Sequence, residues 1–253
     1  MIRTVLVVAI TFLYIFVTGP PVLLVTYLTR STRLLYMVGR TGIRMALRLG
    51  GMTTEAHGRE KVDPSKACVY VVNHESIIDP LLLYAHLPHD CAGLGKKEFF
   101  RLPVLGWACR MAGFVVVDRQ NPEQRMKVAP EAVKRIKERG RAFLVFGEGT
   151  RSRDGRLGVF KKGAAIIAIQ AQVNIVPVAV YGGFALWPKG RKFFKPGHLR
   201  IFFLDPISTA GMTIDDRDRL TATCRERIAD CLRRIDPDLV PDDAAALAMP
   251  QPS

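Results

Sequence analysis

Ala67-Cys68-Val69-Tyr70-Val71-Val72, followed by Asn73-His74-Glu75-Ser76-Ile77-Ile78-Asp79-Pro80, is the stretch on which the fold turns. Its first six residues are an apolar run of strand length and predict a buried strand. His74 then emerges at the strand's carboxyl end, where open α/β sheets place their chemistry. Asp79 lies five residues later. On one continuous helix those side chains would point about 140° apart, so they meet only if the chain turns between them. Pro80 suits the first position of a helix, with Asp79 as the preceding cap and Leu81 to Leu87 as the body.

Apolar runs and helical patterns alternate beyond this unit. Further strands are expected at 91–95, 114–117, 142–146, 175–181 and 199–204, and helices at 80–87, 99–111, 122–139 and 162–172. That alternation predicts an α/β fold, a mostly parallel central sheet flanked by helices. Its carboxyl edge would carry His74, Arg119 and Glu148. Residues 51–66 read as a polar connection, 213–235 as an amphipathic helix, and 237–253 as a mobile tail rich in Asp, Ala and Pro.

The net charge of +14 calls for an anionic partner or surface. Residues 1–50 hold six arginines and no lysine or acid, beside the most apolar part of the chain. This favours a membrane over nucleic acid. Thr4 to Thr29 is uncharged and at about 1.5 Å per residue would reach roughly 39 Å as one helix. Gly19-Pro20-Pro21 is expected to interrupt it, leaving pieces too short to span. A secretory signal fits poorly, because no small-x-small cleavage site ends the run. From Arg30 to Arg48, five arginines (30, 33, 40, 44 and 48) share one arc of a helix of period 3.6, opposite Leu35, Val38, Met45, Ala46 and Leu49. That is the pattern of a helix lying among lipid headgroups. Two N-terminal helices are therefore expected to dip into one leaflet or to span at a kink. Because arginine accumulates after the apolar run, the remainder is placed on the cytoplasmic side of the inner (plasma) membrane.

A carboxylate on one imidazole nitrogen fixes the tautomer and leaves the other nitrogen to take a proton from an alcohol, so His74 suits a general base and Asp79 its orienting partner; the spacing alone equally fits Asp79 as a helix cap and His74 as a loop residue. No Gly-x-Ser-x-Gly elbow accompanies them, which assigns the activated oxygen to a substrate rather than to the protein. Residues 141–155 join a strand to a glycine-rich loop bearing arginines. Its backbone N–H groups and guanidinium forks suit a phosphate monoester. Glu148, which cannot bind phosphate when ionised, is expected to hold arginines in place. Five cysteines without Cys-x-x-Cys spacing indicate neither a disulfide framework nor a zinc site. His57, His86, His89 and His198 lack partners at ligand spacing, and no metal is expected.

Four segments stand in order: Asn73-His74-x-Ser76-x-x-Asp79-Pro80, Gly113-Phe114-Val115-Val116-Val117-Asp118-Arg119, Phe146-Gly147-Glu148-Gly149-Thr150-Arg151-Ser152 and Ile175-Val176-Pro177-Val178-Ala179-Val180. Over residues 67–181 they resemble the ordered blocks of the glycerolipid acyltransferases, most closely the 1-acylglycerol-3-phosphate (lysophosphatidate) acyltransferases with their His-x4-Asp motif. The resemblance implies transfer of a fatty acyl group from a thioester, acyl-CoA or acyl carrier protein, to the free hydroxyl of a lysophospholipid, with no cofactor. It implies His74 as base, Asp79 as its orienting carboxylate, and Arg119 with Glu148, Gly149, Thr150 and Arg151 at the acceptor's phosphate. Lys96 matches a lysine near the site, with Lys97 as its rival in alignment. On this reading residues 1–50 anchor, 51–236 catalyse and 237–253 form the tail.

Two departures from the family pattern stand out. Gly147 replaces the proline usual before Glu-Gly-Thr-Arg, which is expected to loosen the turn, and Val116 replaces a common aromatic. Glu75, inside the first segment, is a third variable position and is assigned no role. Alternative readings are an acyltransferase for another lysolipid, an aminolipid or glycerol phosphate, and a non-catalytic basic protein that binds lipid or nucleic acid.

Overall fold

The computed structural model describes residues 1–118 and 121–241, with the side chains of residues 122–125 left out. Two helices come first, α1 (Ile2–Thr29) and α2 (Arg33–Leu49). Strand β1 (Met52–His57), strand β2 (Cys68–Val72), helix α3 (Asp79–His86), strand β3 (Cys91–Lys96), helix α4 (Leu105–Ala112) and strand β4 (Val115–Val117) follow. The chain continues through α5 (Pro122–Arg139), β5 (Ala142–Phe146), α6 (Gly163–Ala171), β6 (Asn174–Tyr181), α7 (Gly183–Leu186), β7 (Gly197–Phe203) and α8 (Arg217–Arg233).

The strands form one sheet in the order β1-β7-β6-β2-β5-β3-β4. Every pairing is parallel except β6 with β7. The alternation within β2 divides the core. Val69 and Val71 join Phe143, Val145, Ile167 and Ile228 on one face, whereas Tyr70 and Val72 join Leu82, Leu83, Leu144 and Val176 on the other. Both faces are buried, which is why β2 and β5 read as unbroken apolar runs. The register sets Val72 level with Phe146 of β5 and Val178 of β6. Chain leaving β2 and chain leaving β5 therefore emerge side by side.

Several elements differ from the sequence expectation. Met52–His57 is a strand, not a connection: it pairs in parallel with β7 at the sheet edge and buries only Met52. The helix expected over 99–111 is split into a 3₁₀ turn at Phe99–Arg101 and α4. Pro103 drives Leu102 to extended geometry (ψ 130°), because a residue before proline is disfavoured in a helix. Pro237–Leu239 forms a 3₁₀ turn, and the Leu239 carbonyl accepts the Leu157 N–H at 2.8 Å. The expected mobility therefore does not describe this turn, and the rest of that tail from residue 242 lies outside the described residues.

Helix α1 runs through Gly19-Pro20-Pro21 without a break. Proline removes an N–H donor, but its φ suits a helix. Gly19 presses on the body here: a Cβ on it would collide with the Val104 side chain. α2 packs along α1, with the Tyr14 hydroxyl donating to the Val38 carbonyl (2.9 Å) and Gly42 lying under the Tyr14 ring. The expected arginine stripe also divides. Arg30 ends α1 in a left-handed conformation (φ 54°). Arg44 donates to the Ala85 carbonyl at 2.9 Å, and Arg40 pairs with Asp90 at 3.2 Å and with the His89 carbonyl. These two guanidinium groups therefore fasten α2 to the body rather than meeting headgroups. Many of the large apolar side chains left exposed line α1, among them Val5, Leu6, Phe12, Leu13, Phe16, Val17, Leu24 and Leu28.

Candidate active site

Six residues carry the chain from the end of β2 into α3, and one carboxylate organises them. Asp79 is the first residue of α3 rather than its cap. Its Oδ2 accepts the backbone N–H groups of Glu75 (2.8 Å) and Ser76 (2.7 Å) and lies 2.8 Å from His74 Nδ1. The carboxylate oxygen accepts, so Nδ1 carries the proton and Nε2 is the free basic nitrogen. Asp79 is only 1 % exposed, while the imidazole retains 13 %. The ring stacks on Phe146 with centroids 3.8 Å apart and planes at 18°. Phe146 ends β5, level with the end of β2, so the sheet's register brings the aromatic ring to the histidine.

Asn73 extends β2 by imitation. Its side-chain amide donates to the Val180 carbonyl (3.0 Å) and accepts the Val180 N–H (2.8 Å), as a peptide unit of a neighbouring strand would. Ser76 donates to the Trp187 carbonyl at 2.7 Å.

Glu148 follows β5, and its partners are backbone groups rather than the arginines expected. Its Oε1 accepts the His74 N–H at 2.9 Å, and the Gly158 N–H also donates to this carboxyl. The His74 carbonyl accepts the Ser152 N–H at 2.7 Å. The loop 148–158 is thereby clasped to both sides of the His74 backbone. Gly149 makes its turn with φ +71°, and Thr150 and Arg151 are half-buried beside it. Arg151 has no side-chain hydrogen bond or ion pair among the described residues, which leaves its guanidinium uncommitted. Gly147 does not loosen this turn. Its N–H donates to the Val72 carbonyl (2.8 Å), its carbonyl accepts the Lys161 N–H (2.7 Å), and a Cβ there would meet the Phe160 ring at 2.5 Å.

Lys96 ends β3, two strands from β2, so about 10 Å separates their backbones. It is exposed, whereas Lys97 pairs with Asp118 at 2.8 Å. Arg119 lies outside the described residues. Glu75, given no role from the sequence, is 4 % exposed and accepts the Gly183 N–H at 2.6 Å. The other histidines are engaged elsewhere: His89 with the Tyr70 hydroxyl and Lys66 carbonyl, His86 with Thr54, and His198 with Thr53 and Glu55. Among the described residues no three His, Cys, Asp or Glu side chains are grouped to hold a metal.

Burial is the main force on the two glutamates. It pushes the Glu148 carboxyl up to about 8, with Asp79 adding to the rise and the His74 and Gly158 N–H groups and Arg225 opposing it. Burial, reinforced by Asp79, holds Glu75 well above the ordinary carboxyl range.

A profile of the acyltransferase family matches residues 53–181. The 1-acyl-sn-glycerol-3-phosphate acyltransferase of Limnanthes douglasii is 36 % identical over 168 residues, 66 % of this chain and 59 % of that protein. The 1-acyl-sn-glycerol-3-phosphate acyltransferase alpha of Mus musculus is 33 % identical over 192 residues, covering 75 % and 67 %. The alignment thus spans about three fifths of the plant relative's length. The crystal structure of the 1-acyl-sn-glycerophosphate acyltransferase PlsC from Thermotoga maritima superposes with a TM-score of 0.80 at 25 % identity, covering 93 % of this chain and 96 % of that one. The chain belongs to the acyltransferase family, and its mixed, mostly parallel sheet with an apolar N-terminal helix is the fold of that neighbour.

The raised Glu148 carboxyl makes a stability prediction. The unfolded chain releases this proton near 4.5 and the folded chain near 8. Between those values the folded state binds more protons, so the contribution to stability is full below about 4.5 and is lost as pH rises through about 8. In urea unfolding of the detergent-solubilised chain, Glu148→Gln is expected to flatten the fall in midpoint between about pH 5 and about pH 8. An unchanged slope counts against this carboxyl.

Proposed function

We propose that the chain transfers a fatty acyl group from acyl-CoA or acyl carrier protein to the free sn-2 hydroxyl of lysophosphatidate, giving phosphatidate for phospholipid synthesis. The observation that carries this reading is the 2.8 Å contact of His74 Nδ1 with Asp79, beside a clasped arginine-bearing loop. His74 Nε2 takes the acceptor's hydroxyl proton as the oxygen attacks the thioester carbonyl, and gives it to the sulfur as the C–S bond breaks, so that the ester forms and the thiol leaves. Asp79 holds the tautomer and stabilises the imidazolium. Arg119, Arg151 and the Gly149–Thr150 backbone hold the phosphate, and Glu148 positions that loop on His74. Lys96, not committed as Lys97 is, is the cation left to meet negative charge on the substrates. No cofactor enters these steps.

Residues 1–50 anchor the chain, 51–236 form the catalytic domain, and the site faces the cytoplasmic leaflet of the inner membrane. Of dipping into one leaflet and spanning the bilayer, we favour the first, and the way α1 lies supports it. Arg3 reaches Gly51 and Gly19 meets Val104, so the body flanks α1 along about 24 Å of its length. The ten residues after Gly19 give only about 15 Å, half of a hydrocarbon core of roughly 30 Å.

His74→Ala is expected to lower acyl transfer to lysophosphatidate by about 10² to 10⁴, the usual share of a general base, without releasing the chain from membranes. Transfer within about threefold of the parent would remove His74 from that role. Arg151→Ala is expected to raise the KM for lysophosphatidate about tenfold with donor KM unmoved; a change confined to donor saturation would relocate the phosphate site. For α1, cysteines at Ile2 and Leu28 should respond alike to an impermeant thiol reagent outside sealed vesicles. Opposite responses would mean that the helix crosses.

A further inference from the structure

The turn after β2 is fastened to a segment that neither the motif nor the proposed reaction involves. Glu75 is buried, and its Oε1 accepts the Gly183 N–H at 2.6 Å while the Phe184 N–H also bonds its carboxyl. Three residues further along, the Trp187 carbonyl accepts the Ser76 hydroxyl at 2.7 Å. The short helix α7 is thus held at both ends by consecutive residues of the catalytic turn. The fit is close: a Cβ on Gly183 would lie 2.7 Å from Asp79 Oδ1 and 2.8 Å from the Ser76 Cβ.

α7 carries the Phe184 ring onto Gly155. A Cβ on Gly155 would lie 2.8 Å from that ring, and Gly155 has φ +84°, the pivot of the turn between Arg151 and Arg156. The turn is otherwise held by small local bonds: Ser152 Oγ to Asp154, the Gly155 N–H to Ser152 Oγ and the Arg156 N–H to Asp154. These shape the loop but do not set its distance from the imidazole. Ser152 and Glu148 fasten its two ends to the His74 backbone, and Phe184 supports its outer bend.

We propose that Glu75 is a positioning residue: through Gly183 and Phe184 it sets the bend of the arginine loop relative to His74, and so the reach between the acceptor's phosphate and the hydroxyl to be acylated. This deepens the function proposed above and rests on its assignment of the phosphate to this loop. A carboxyl buried at such cost is retained where its acceptor oxygen is needed, because an unsatisfied pair of N–H groups would otherwise remain inside. The role requires an acceptor oxygen and not a charge, so an amide can replace it. Phosphate and hydroxyl of one small acceptor must be held together, so displacement by about 1 Å costs rate as well as affinity.

The experiment compares Glu75→Ala, Glu75→Gln and Phe184→Ala in the full chain in detergent, with lysophosphatidate varied at saturating donor and the reverse. Glu75→Ala is expected to raise the acceptor KM and lower kcat, each about tenfold, with donor KM unchanged; Glu75→Gln is expected to stay within about threefold in both. Phe184→Ala, which leaves the buried bonds intact, is expected to raise acceptor KM about fivefold with kcat less affected. An unmoved acceptor KM in Phe184→Ala overturns the coupling, and it decides alone if Glu75→Ala does not fold. Glu75→Gln as impaired as Glu75→Ala overturns the requirement for an acceptor oxygen. Lysophosphatidate binding measured without donor, in a His74→Ala background with and without Phe184→Ala, separates the two proposals. Binding weakened by Phe184→Ala supports the coupling even if His74→Ala had left transfer intact, whereas unweakened binding overturns it.

Discussion

One oxygen of Asp79 gathers three N–H donors from residues three to five positions before it: two backbone amides and the imidazole. A buried carboxylate without such donors would be costly, and the two amides without the carboxylate would be orphans at the end of the central strand. The turn and the histidine's orientation therefore depend on a single group, which also explains why His74 and Asp79 stand five apart. The separation is wrong for one helical face and right for a loop that folds back on the first residue of the next helix. Everything else at the site is referred to this turn: Glu148 to its first amide, Ser152 to its first carbonyl, Glu75 and Ser76 to α7.

The buried strands were legible because both faces of a parallel sheet demand apolar residues, as in Val69 to Val72 and Ala142 to Phe146. β1 was hidden by the opposite circumstance: Thr53, Thr54 and Glu55 belong to an edge strand whose side chains largely face solvent, and its pairing depends on β7 nearly 150 residues away. The proline pair misled because proline is compatible with helical φ even where it removes donors. The arginine period holds in α2 for Arg33, Arg40, Arg44 and Arg48 but not for Arg30, and periodicity says nothing of destination: Arg40 and Arg44 end on backbone carbonyls of the body. At the site, the His74–Asp79 contact is legible from the turn their spacing demands together with the four ordered segments, whereas the parts of Asn73, Glu75 and Glu148 are not. All three engage main-chain N–H or C=O groups, and a backbone partner leaves no trace in residue identity. Phe146 against His74 was equally silent, since it depends on the register of β2 with β5.

Gly147 shows how a departure from a family pattern can be compensated nearby. In place of proline the glycine supplies an N–H that carries the β2–β5 hydrogen bonding one residue further, and the space where a Cβ would lie is filled by the Phe160 ring. Proline there would lose the bond to Val72 and meet that ring. Glycine and phenylalanine are thus one packing solution, and the turn they form is pinned at both its N–H and its carbonyl despite the conformational freedom glycine brings.

Charge at the site is sorted by depth. Around the imidazole lie three buried carboxyls, Glu75, Asp79 and Glu148, while Arg151, Arg153 and Arg156 stand on the surrounding loop at half-buried or exposed positions. Burial raises both the Glu75 and the Glu148 carboxyl, which disfavours a second and a third negative charge beside Asp79 while their oxygens still accept backbone amides. For an acceptor bearing both a phosphate and a hydroxyl, this gradient orients the molecule before any specific contact forms. The phosphate is drawn to the outer cations and disfavoured at the centre, and the neutral hydroxyl is the end that reaches the imidazole. Under the proposed reaction, acids that touch no substrate would still determine which end of the acceptor loses its proton.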